Sequence, residues 1–273
     1  MKKHPPRLED FISVRRVRSD YVGYIATMYI LIRPLSLSPG NGKCKLCGVN
    51  ILKGEKMHLT LMKGSRYPCK LCVSCAPPPT PEMSADEMRG MRDTIKKDWA
   101  QQLQQLQKLS TPQQQEKKFG FYGKTCSDGT KFRQRHPFSN FHLEPVTAAG
   151  HVFRCSEGVI MFCKALRFKD GQVAHALASG AHSGTVCKQL GRMVQGFVAR
   201  KWKPKGIAMY VVLLKRQQCP VFRKELARVG KAQIYECSKT DYIWGTGTSL
   251  DEFPYAGTGT NYLGRALTVA SLM

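Results

Sequence analysis

Two acidic side chains, given the residues around them, could help to break a bond at a sugar carbon. Glu157 stands at the start of an apolar helical run, and Asp241 precedes Trp244 by three residues in the sequence DYIWG. Cleavage of a ribosyl C–N bond builds positive charge on the sugar and negative charge on the leaving base, so it requires a carboxylate, a placed water and a partner for the base. Taken singly, either acid could be an ordinary capping residue. Together they are the candidate catalytic residues, with Trp244 able to face the base.

A helix is predicted to position Glu157. Apolar residues recur at helical spacing over 159–168, directly after Ser156. Ser156 is the predicted N-cap, which places Glu157 in the first turn, where the helix dipole favours the ionised carboxylate. Lys164 follows two helical turns later, so we expect it on the same face as Glu157.

Other polar and aromatic residues could bind the substrate. Asn140 can hydrogen-bond to ribose hydroxyl groups, the flanking phenylalanines can form a wall, and basic side chains can contact phosphate. Most lysines in so basic a chain are nevertheless expected to be solvated. The candidate substrate-binding residues are Phe138, Asn140, Phe141, Lys164, Lys188, Arg192, Lys215, Trp244, Gly245 and Asn261.

An ordered set of motifs occupies about the last 155 residues: FSNF, CSEGVIMFCKALRFKD, KQLGR followed by Phe197 and Trp202, Lys215, IYECSKTDYIWGTG and GTNYLGRAL. In this order they resemble the NADAR, or YbiA-like, N-glycosidase family. The resemblance implies hydrolysis of an N-glycosidic bond, either in ribosylamino-pyrimidine intermediates of riboflavin synthesis or between ADP-ribose and guanine. The chain departs from the family pattern before KQLGR, where SGAHSGTV replaces a proline-containing turn, and in its last helix.

Helical patterns dominate this C-terminal region. Apolar spacing predicts helices over 186–197 and over 209–226, the latter interrupted at Pro220. A short strand is predicted at 233–237, and Asn261 is the predicted N-cap of a last helix over 262–270. The expected fold class is therefore α+β: a mainly helical YbiA-like domain with a few short strands, as the resemblance also implies.

Five of the 11 cysteines are grouped at the spacing of a zinc site. Cys44 and Cys47 form one CxxC pair, and Cys69, Cys72 and Cys75 form two overlapping pairs. Two CxxC turns on either side of a hairpin can supply the four thiolates of tetrahedral zinc. We predict a structural, zinc-ribbon-like site made by Cys44, Cys47, Cys72 and Cys75, with Cys69 in combination with Cys72 as the close alternative. The remaining cysteines are scattered like reduced core residues, which indicates a cytoplasmic protein.

Three other functions lack a required residue. The HLT at 58–60 provides no H-x-E for a zinc deaminase. Lys118 stands where a P-loop ending at 123–125 requires glycine. The GTGT repeats at Gly245 and Gly257 lack the third glycine of a dinucleotide fingerprint, so no organic cofactor is expected.

Changes in composition divide the chain. The apolar run at 21–32 is too short to span a bilayer and more typical of a strand or buried helix. Basic residues before it could mimic a secretory signal, but SLSPGNG leads directly to the cysteines, so neither a signal peptide nor a membrane anchor is expected. The predicted regions are an N-terminal extension at 1–43, the zinc module at 44–76, a proline-rich linker with an amphipathic helix at 77–118, and the N-glycosidase-like domain at 119–273.

The helix of the third region has a clear start. Ser84 and Glu87 form a predicted capping box, and apolar residues then recur at three- and four-residue steps as far as Leu109. The resulting apolar stripe could pair in a coiled coil or pack onto the C-terminal domain.

The charge of the chain favours a polyanionic partner. The formal net charge is +24, and residues 119–273 alone carry 22 Lys and Arg against 9 Asp and Glu. This excess exceeds what one phosphorylated metabolite needs, so we favour ADP-ribosylated guanine in DNA or RNA over the riboflavin intermediate. A merely solvated basic surface is one alternative. Another is a module that binds ADP-ribose or nucleic acid without cleavage, but the presence of both Glu157 and Asp241 favours catalysis.

The cysteine spacing predicts about one tightly bound zinc ion per chain, released when residues 44–75 unfold but not when the C-terminal domain unfolds. Metal analysis of protein purified under reducing conditions measures the zinc content per chain. Cys44→Ser and Cys75→Ser should each lower the zinc content. Unchanged content in both variants would show that the ligand assignment is wrong.

Overall fold

The computed structural model describes residues 29–33, 36–38, 40–45, 48–62, 69–72, 80–107, 117–178, 182–254 and 257–273. The chain divides into two compact units, Met1–Met83 and Ser84–Met273, which are described separately. None of the helices in the described ranges is long and apolar enough to cross a membrane.

The first unit is built around a long central strand. Its strands are β1 (Tyr29–Ile32), β2 (Ser36–Leu37), β3 (Gly42–Lys43), β4 (Asn50–Ile51), β5 (Lys56–Met62) and β6 (Cys69–Cys72). Strand β5 pairs antiparallel with β1, β2 and β6, while β3 and β4 form a separate hairpin. Part of the apolar run at 21–32 is thus a strand; the rest of it lies outside the described residues.

The predicted zinc ligands are described only in part. The backbone N–H of Lys45 donates to the carbonyl of Lys70 over 3.0 Å, which ties the turn after Cys44 to strand β6. This brings the backbone next to Cys44 beside the strand that carries Cys69 and Cys72, as a two-turn zinc site requires. Cys47, Cys75 and the side chain of Cys72 lie outside the described residues, so the ligand set stays a prediction.

The second unit begins with helix α1 (Ala85–Gln107). The capping box is confirmed, because the Ser84 N–H donates to Glu87 Oε2 over 2.8 Å and the Glu87 N–H donates to Ser84 Oγ over 3.2 Å. Trp99 meets Tyr210 edge to face, with ring centroids 6.1 Å apart. The apolar stripe of α1 therefore packs onto the helical unit that follows it.

The remaining helices form the bulk of the second unit. Pro220 separates two helices, as predicted, while the helix predicted over 186–197 ends at Arg192. The last helix begins at the predicted residue. The helices are α2 (Ser156–Phe168), α3 (Gly171–Ala178), α4 (Gly184–Arg192), α5 (Pro204–Gln218), α6 (Pro220–Val229) and α7 (Tyr262–Ala270), with 3-10 turns at Ala199–Lys201 and Leu250–Glu252.

Short strands complete the unit and confirm the α+β fold class. Strand β11 pairs parallel with β7, which pairs antiparallel with β8, and β9 and β10 form a hairpin. The strand predicted at 233–237 is found, one residue shorter. The strands are β7 (Lys118–Tyr122), β8 (Thr125–Cys126), β9 (Val146–Ala148), β10 (His151–Phe153) and β11 (Gln233–Glu236).

Helix α7 approaches β11 closely through a glycine. A Cβ atom at Gly264 would lie 2.2 Å from the carbonyl oxygen of Ile234 and 2.4 Å from the side-chain amide of Asn261. Such distances are far below van der Waals contact, and a backbone oxygen cannot move away as the end of a flexible side chain can. Only glycine therefore permits this packing of helix against strand.

The two helical glycines Gly264 and Gly90 should respond oppositely to the same substitution. Gly264→Ala should lower the free energy of unfolding by at least about 2 kcal/mol, because overpacking outweighs the higher helix propensity of alanine. At Gly90 in α1 an added Cβ would meet no atom within 4 Å, so Gly90→Ala should raise stability by roughly 0.5 to 1 kcal/mol. Chemical denaturation of both variants measures the difference, and two effects of the same sign would contradict this account of the packing.

Candidate active site

The loop that carries FSNF is fastened to the first turn of α2. The Glu157 N–H donates to the carbonyl of Asn140 over 2.9 Å, and Ser156 Oγ donates to Asn140 Oδ1 over 3.0 Å. The helix begins at Ser156 and its N-cap residue is Cys155, so the prediction of Ser156 as N-cap is wrong by one position. The physical reason is that the Ser156 hydroxyl is used in a tertiary bond to Asn140. This bond leaves Asn140 only 6% exposed.

A buried lysine holds the same loop from the other side. Lys215 Nζ donates to the carbonyls of Pro137 over 2.6 Å and Ser139 over 3.2 Å, and it lies 4.7 Å from the ring centroid of Phe222. Only 2% of Lys215 is exposed, and burial lowers its pKa to about 8. Sequence reasoning assigned Lys215 to phosphate contact. The structure instead gives it the role of positioning the loop that contains Asn140.

Phe138 also differs from its predicted role. Its ring is fully buried, with its centroid 5.6 Å from that of Phe121 and 5.6 Å from that of Phe222. It therefore belongs to the hydrophobic core and cannot form a wall against substrate. Phe141 is half-buried and packs against Gly184 of α4, where a Cβ would lie 2.7 Å from the phenylalanine ring.

Glu157 lies at the buried start of α2. Burial raises its pKa to about 8; the charge of Lys188 opposes this rise, whereas Cys155 and Glu236 add to it. Sequence reasoning predicted that the helix dipole would favour the ionised form. The prediction fails because loss of solvation outweighs a dipole effect of about 1 kcal/mol. At neutral pH the Glu157 carboxyl therefore keeps its proton.

A second buried carboxyl, that of Glu236 at the end of β11, joins the site. Burial raises its pKa to about 7, with a further rise from the charge of Asp241. Its Oε2 atom is buried and has no hydrogen-bond partner among the described residues. Glu236 is not among the candidate site residues predicted from the sequence. The available signal was an acidic residue directly after the apolar pair Ile234 and Tyr235, five residues before Asp241.

The turn after β11 places Asp241 and Trp244. One carboxylate oxygen of Asp241 accepts hydrogen bonds from the N–H groups of Ile243, at 3.1 Å, and Trp244, at 2.8 Å. Asp241 thus fixes its own turn, while its charge raises the pKa of both Glu157 and Glu236. The Trp244 side chain is half-buried beside this turn.

Gly245 and Asn261 hold the turn that carries Asp241 and Trp244 against strand β11. A Cβ at Gly245 would lie 2.7 Å from the carbonyl oxygen of Glu236, so this glycine allows the turn to pack on β11. Asn261 Nδ2 donates to the carbonyl of Ile234 over 3.0 Å, and its Oδ1 accepts from the Glu236 N–H over 3.1 Å. Asn261 occupies the N-cap position of α7 without a side-chain capping bond. Its amide is committed to β11, so it positions Glu236.

The predicted basic residues separate into two groups. Lys188 on α4 is half-buried, and its charge lowers the pKa of both Glu157 and Glu236. Lys164 Nζ donates to the Gly191 carbonyl over 2.7 Å and lies 4.0 Å from the ring centroid of Phe197. Arg192 is exposed and acts electrostatically on Lys164. The structure thus brings Lys188 to the carboxyl groups and engages Lys164 mainly in packing α2 against α4.

One further cluster in the described part of the chain has metal-ligand chemistry. Atoms of Cys126, His136 and Glu225 lie within 4.8 Å of one another. His136 Nδ1 accepts from the Phe138 N–H, so Nε2 carries a proton and donates it to Glu225 Oε1 over 2.8 Å. Arg228 donates to both oxygens of Glu225. These bonds occupy the lone pairs that a metal would need, so the cluster is a structural network.

The buried Glu157 carboxyl makes a pH-dependent contribution to stability. Its folded pKa of about 8 lies above the ordinary value of 4.5, so the stability it confers at acidic pH is lost as the pH rises toward 8. The Glu157→Gln variant cannot ionise. Relative to wild type, its free energy of unfolding should therefore rise by roughly 4 kcal/mol between about pH 4.5 and pH 8.

Denaturant titrations of both proteins across this pH range measure the change. The difference at about pH 3.5, below both the unfolded and the folded pKa, gives the effect of the amide itself. A difference that stays constant with pH would show that the carboxyl is not held protonated by burial.

Comparison with known proteins identifies the family to which the domain with these residues belongs. The NADAR domain model matches residues 121–270. No curated protein sequence matches the chain. The NMR structure of the E. coli protein YbiA matches with 22% sequence identity and a TM-score of 0.44, over 58% of this chain and 85% of that chain. The family match spans more than half of the chain and contains Glu157, Glu236 and Asp241, and the protein belongs to the NADAR family.

Proposed function

We propose that this protein is an N-glycosidase that hydrolyses the C–N bond between a ribose and a base. The observation that carries the proposal is the pair of buried carboxyl groups, Glu157 and Glu236, whose pKa values are raised to about 8 and about 7. Pairs of carboxyl groups with raised and separated pKa values are typical of sites that need an acid and a base at neutral pH.

The pair supplies both protonation states near pH 7. Because the two groups interact, they titrate as a unit, and near neutrality one proton is held mainly on Glu157 while Glu236 is partly ionised. In this mechanism Glu157 donates its proton to the departing base. Glu236 and Asp241 stabilise the oxocarbenium-like sugar, and the ionised Glu236 takes a proton from the attacking water. Before substrate binds, the positive charge of Lys188 partly offsets the negative charge of the ionised carboxylates at the site.

The substrate we propose is guanine modified with ADP-ribose in DNA or RNA. Lys188 and the exposed Arg192 lie on α4 one turn apart, where they can pair with a diphosphate. Trp244 offers an aromatic face to the base beside Asp241. The excess of 22 basic over 9 acidic residues in 119–273 supports a polyanionic substrate. A zinc ion at the N-terminal cysteines would have a structural role and take no part in the reaction.

The decisive experiment offers wild type both an ADP-ribosylated guanine in a short oligonucleotide and a ribosylamino-pyrimidine phosphate. We expect release of free base from the oligonucleotide, weakening steeply with salt by roughly one unit of log-log slope per neutralised phosphate. Glu157→Gln and Asp241→Asn should each lower the rate by about two to four orders of magnitude. Product release followed by chromatography measures both effects.

The matched control is Asp251→Asn, which changes an exposed acid of the 3-10 turn Leu250–Glu252 and should leave the rate unchanged. Activity on the small pyrimidine alone would reverse the choice of substrate. Binding of ADP-ribose without any product would indicate the non-catalytic module. Full activity in both the Glu157 and Asp241 variants would refute the mechanism.

A further inference from the structure

A groove between α1, α2 and the start of α5 lies apart from the carboxyl groups of the candidate active site. We propose that it binds one nucleotide unit of a single-stranded nucleic acid, with the base in the groove and the phosphates at its rim. The inference deepens the proposed function and rests on it for the identity of the polymer that carries the modified base.

The groove has the size and floor of a binding site. Its volume is about 300 Å³, which lies at the lower end of the range for small-ligand pockets. Ile95 of α1, Leu166 of α2 and Ile207 of α5 form an apolar floor, and Trp202 is half-buried at its side. An indole beside an apolar floor suits a flat heterocyclic base, since base stacking on aromatic side chains is favourable and tolerant of sequence.

The rim of the groove is strongly basic. None of its lining residues is acidic, and five are cationic. Lys96 has an ion pair with Asp93 at 2.8 Å, but both side chains are largely exposed, so the pair is weak and Lys96 can exchange it for a phosphate. A concave surface of one sign concentrates counterions of the other. The cations are Arg92, Lys96, Arg167, Lys201 and Lys203.

The groove is separate from the candidate catalytic site. Successive residues of an α-helix turn by about 100°, so Glu157, Met161 and Lys164 share one face of α2. Leu166 lies on the opposite face, about 180° around the helix from Glu157, and both Leu166 and Arg167 lie more than two turns further along the helix than Glu157. A ligand in the groove would therefore leave Glu157 accessible to a modified base on the same strand.

One wall of the groove lies outside the family domain. Arg92, Ile95 and Lys96 belong to α1, whereas the NADAR domain match begins at residue 121. The groove thus forms where an N-terminal helix packs onto the family domain. Its other walls, from α2 and the segment that leads into α5, lie within the family match.

The distribution of charge favours a polymer over a free nucleotide. Two further exposed cations, Arg200 and Lys205, flank Lys201 and Lys203 in the chain, so residues 200–205 form a basic stripe in the sequence. One phosphate group would engage only part of this stripe. A strand whose phosphates follow it would release a counterion at each contact, which makes binding both tighter and dependent on salt.

The test measures binding of an unmodified, fluorescent single-stranded oligonucleotide of about ten nucleotides to the full chain by anisotropy. Arg92→Gln with Lys96→Gln removes two rim charges from α1. We expect about a tenfold loss of affinity and a decrease of about 1.4 in the slope of log affinity against log salt, since each contact to a single strand contributes about 0.7. Lys201→Gln with Lys203→Gln provides a second variant and should act alike.

The matched control is Arg89→Gln with Lys97→Gln, which removes the same charge from exposed positions of α1 outside the groove. Equal losses in the groove and control variants would show a diffuse basic surface, and unchanged binding in both groove variants would show that the groove is not used; either result overturns the inference. Groove-dependent binding of AMP without binding of the oligonucleotide would replace the polymer with a free nucleotide.

The two proposals fail separately. Glu157→Gln should bind the unmodified oligonucleotide as wild type does, because its side chain lies outside the groove. Groove-dependent binding without hydrolysis of any modified base would refute the N-glycosidase while the strand-binding groove stands. Hydrolysis that is unaffected by the groove variants, together with unchanged binding, would refute the groove alone.

Discussion

The buried ammonium group of Lys215 is the interaction on which the candidate site depends. A charged amine loses several kcal/mol of solvation on burial unless hydrogen bonds replace the water. Here the carbonyls of Pro137 and Ser139 do so, and the segment between them is drawn against α5. The next residue, Asn140, then meets the first turn of α2. One buried cation thereby sets the position of the loop and, through it, the start of the helix that carries Glu157.

Strand β11 positions the other part of the site, which contains Glu236 and Asp241. Asn261 bridges the backbone of Ile234 and Glu236 with one amide, and Gly245 and Gly264 let the following turn and α7 approach this strand closely. Loss of solvation at the carboxyl of Glu236, together with the charge of Asp241, raises its pKa to about 7. The packing around β11 thus both holds Glu236 in place and accompanies the rise in its pKa. Sites commonly sacrifice stability in this way to keep a reactive group in place.

The fold also joins an extra helix to the family domain. Helix α1 starts at a capping box that is local in sequence, but its place on the molecule is set by contacts such as Trp99 with Tyr210. These contacts bring cations of α1 next to those near Trp202, which are more than a hundred residues away in the chain. Part of the high positive charge of the protein is consequently concentrated around one groove.

The sequence by itself determined the features that depend on neighbouring residues: the capping box at Ser84 that begins α1, the break at Pro220, the short strand that contains Glu236, and the motifs that contain Glu157 and Asp241. Caps, prolines and apolar periodicity act over a few residues, so they can be interpreted without a fold. Only the tertiary structure decided which polar groups are buried. It keeps the proton on Glu157, encloses Lys215 and Phe138, commits Asn261 to a strand and adds Glu236 to the site. Burial arises from contacts between distant segments, and solvation energies of several kcal/mol then outweigh local preferences of about 1 kcal/mol.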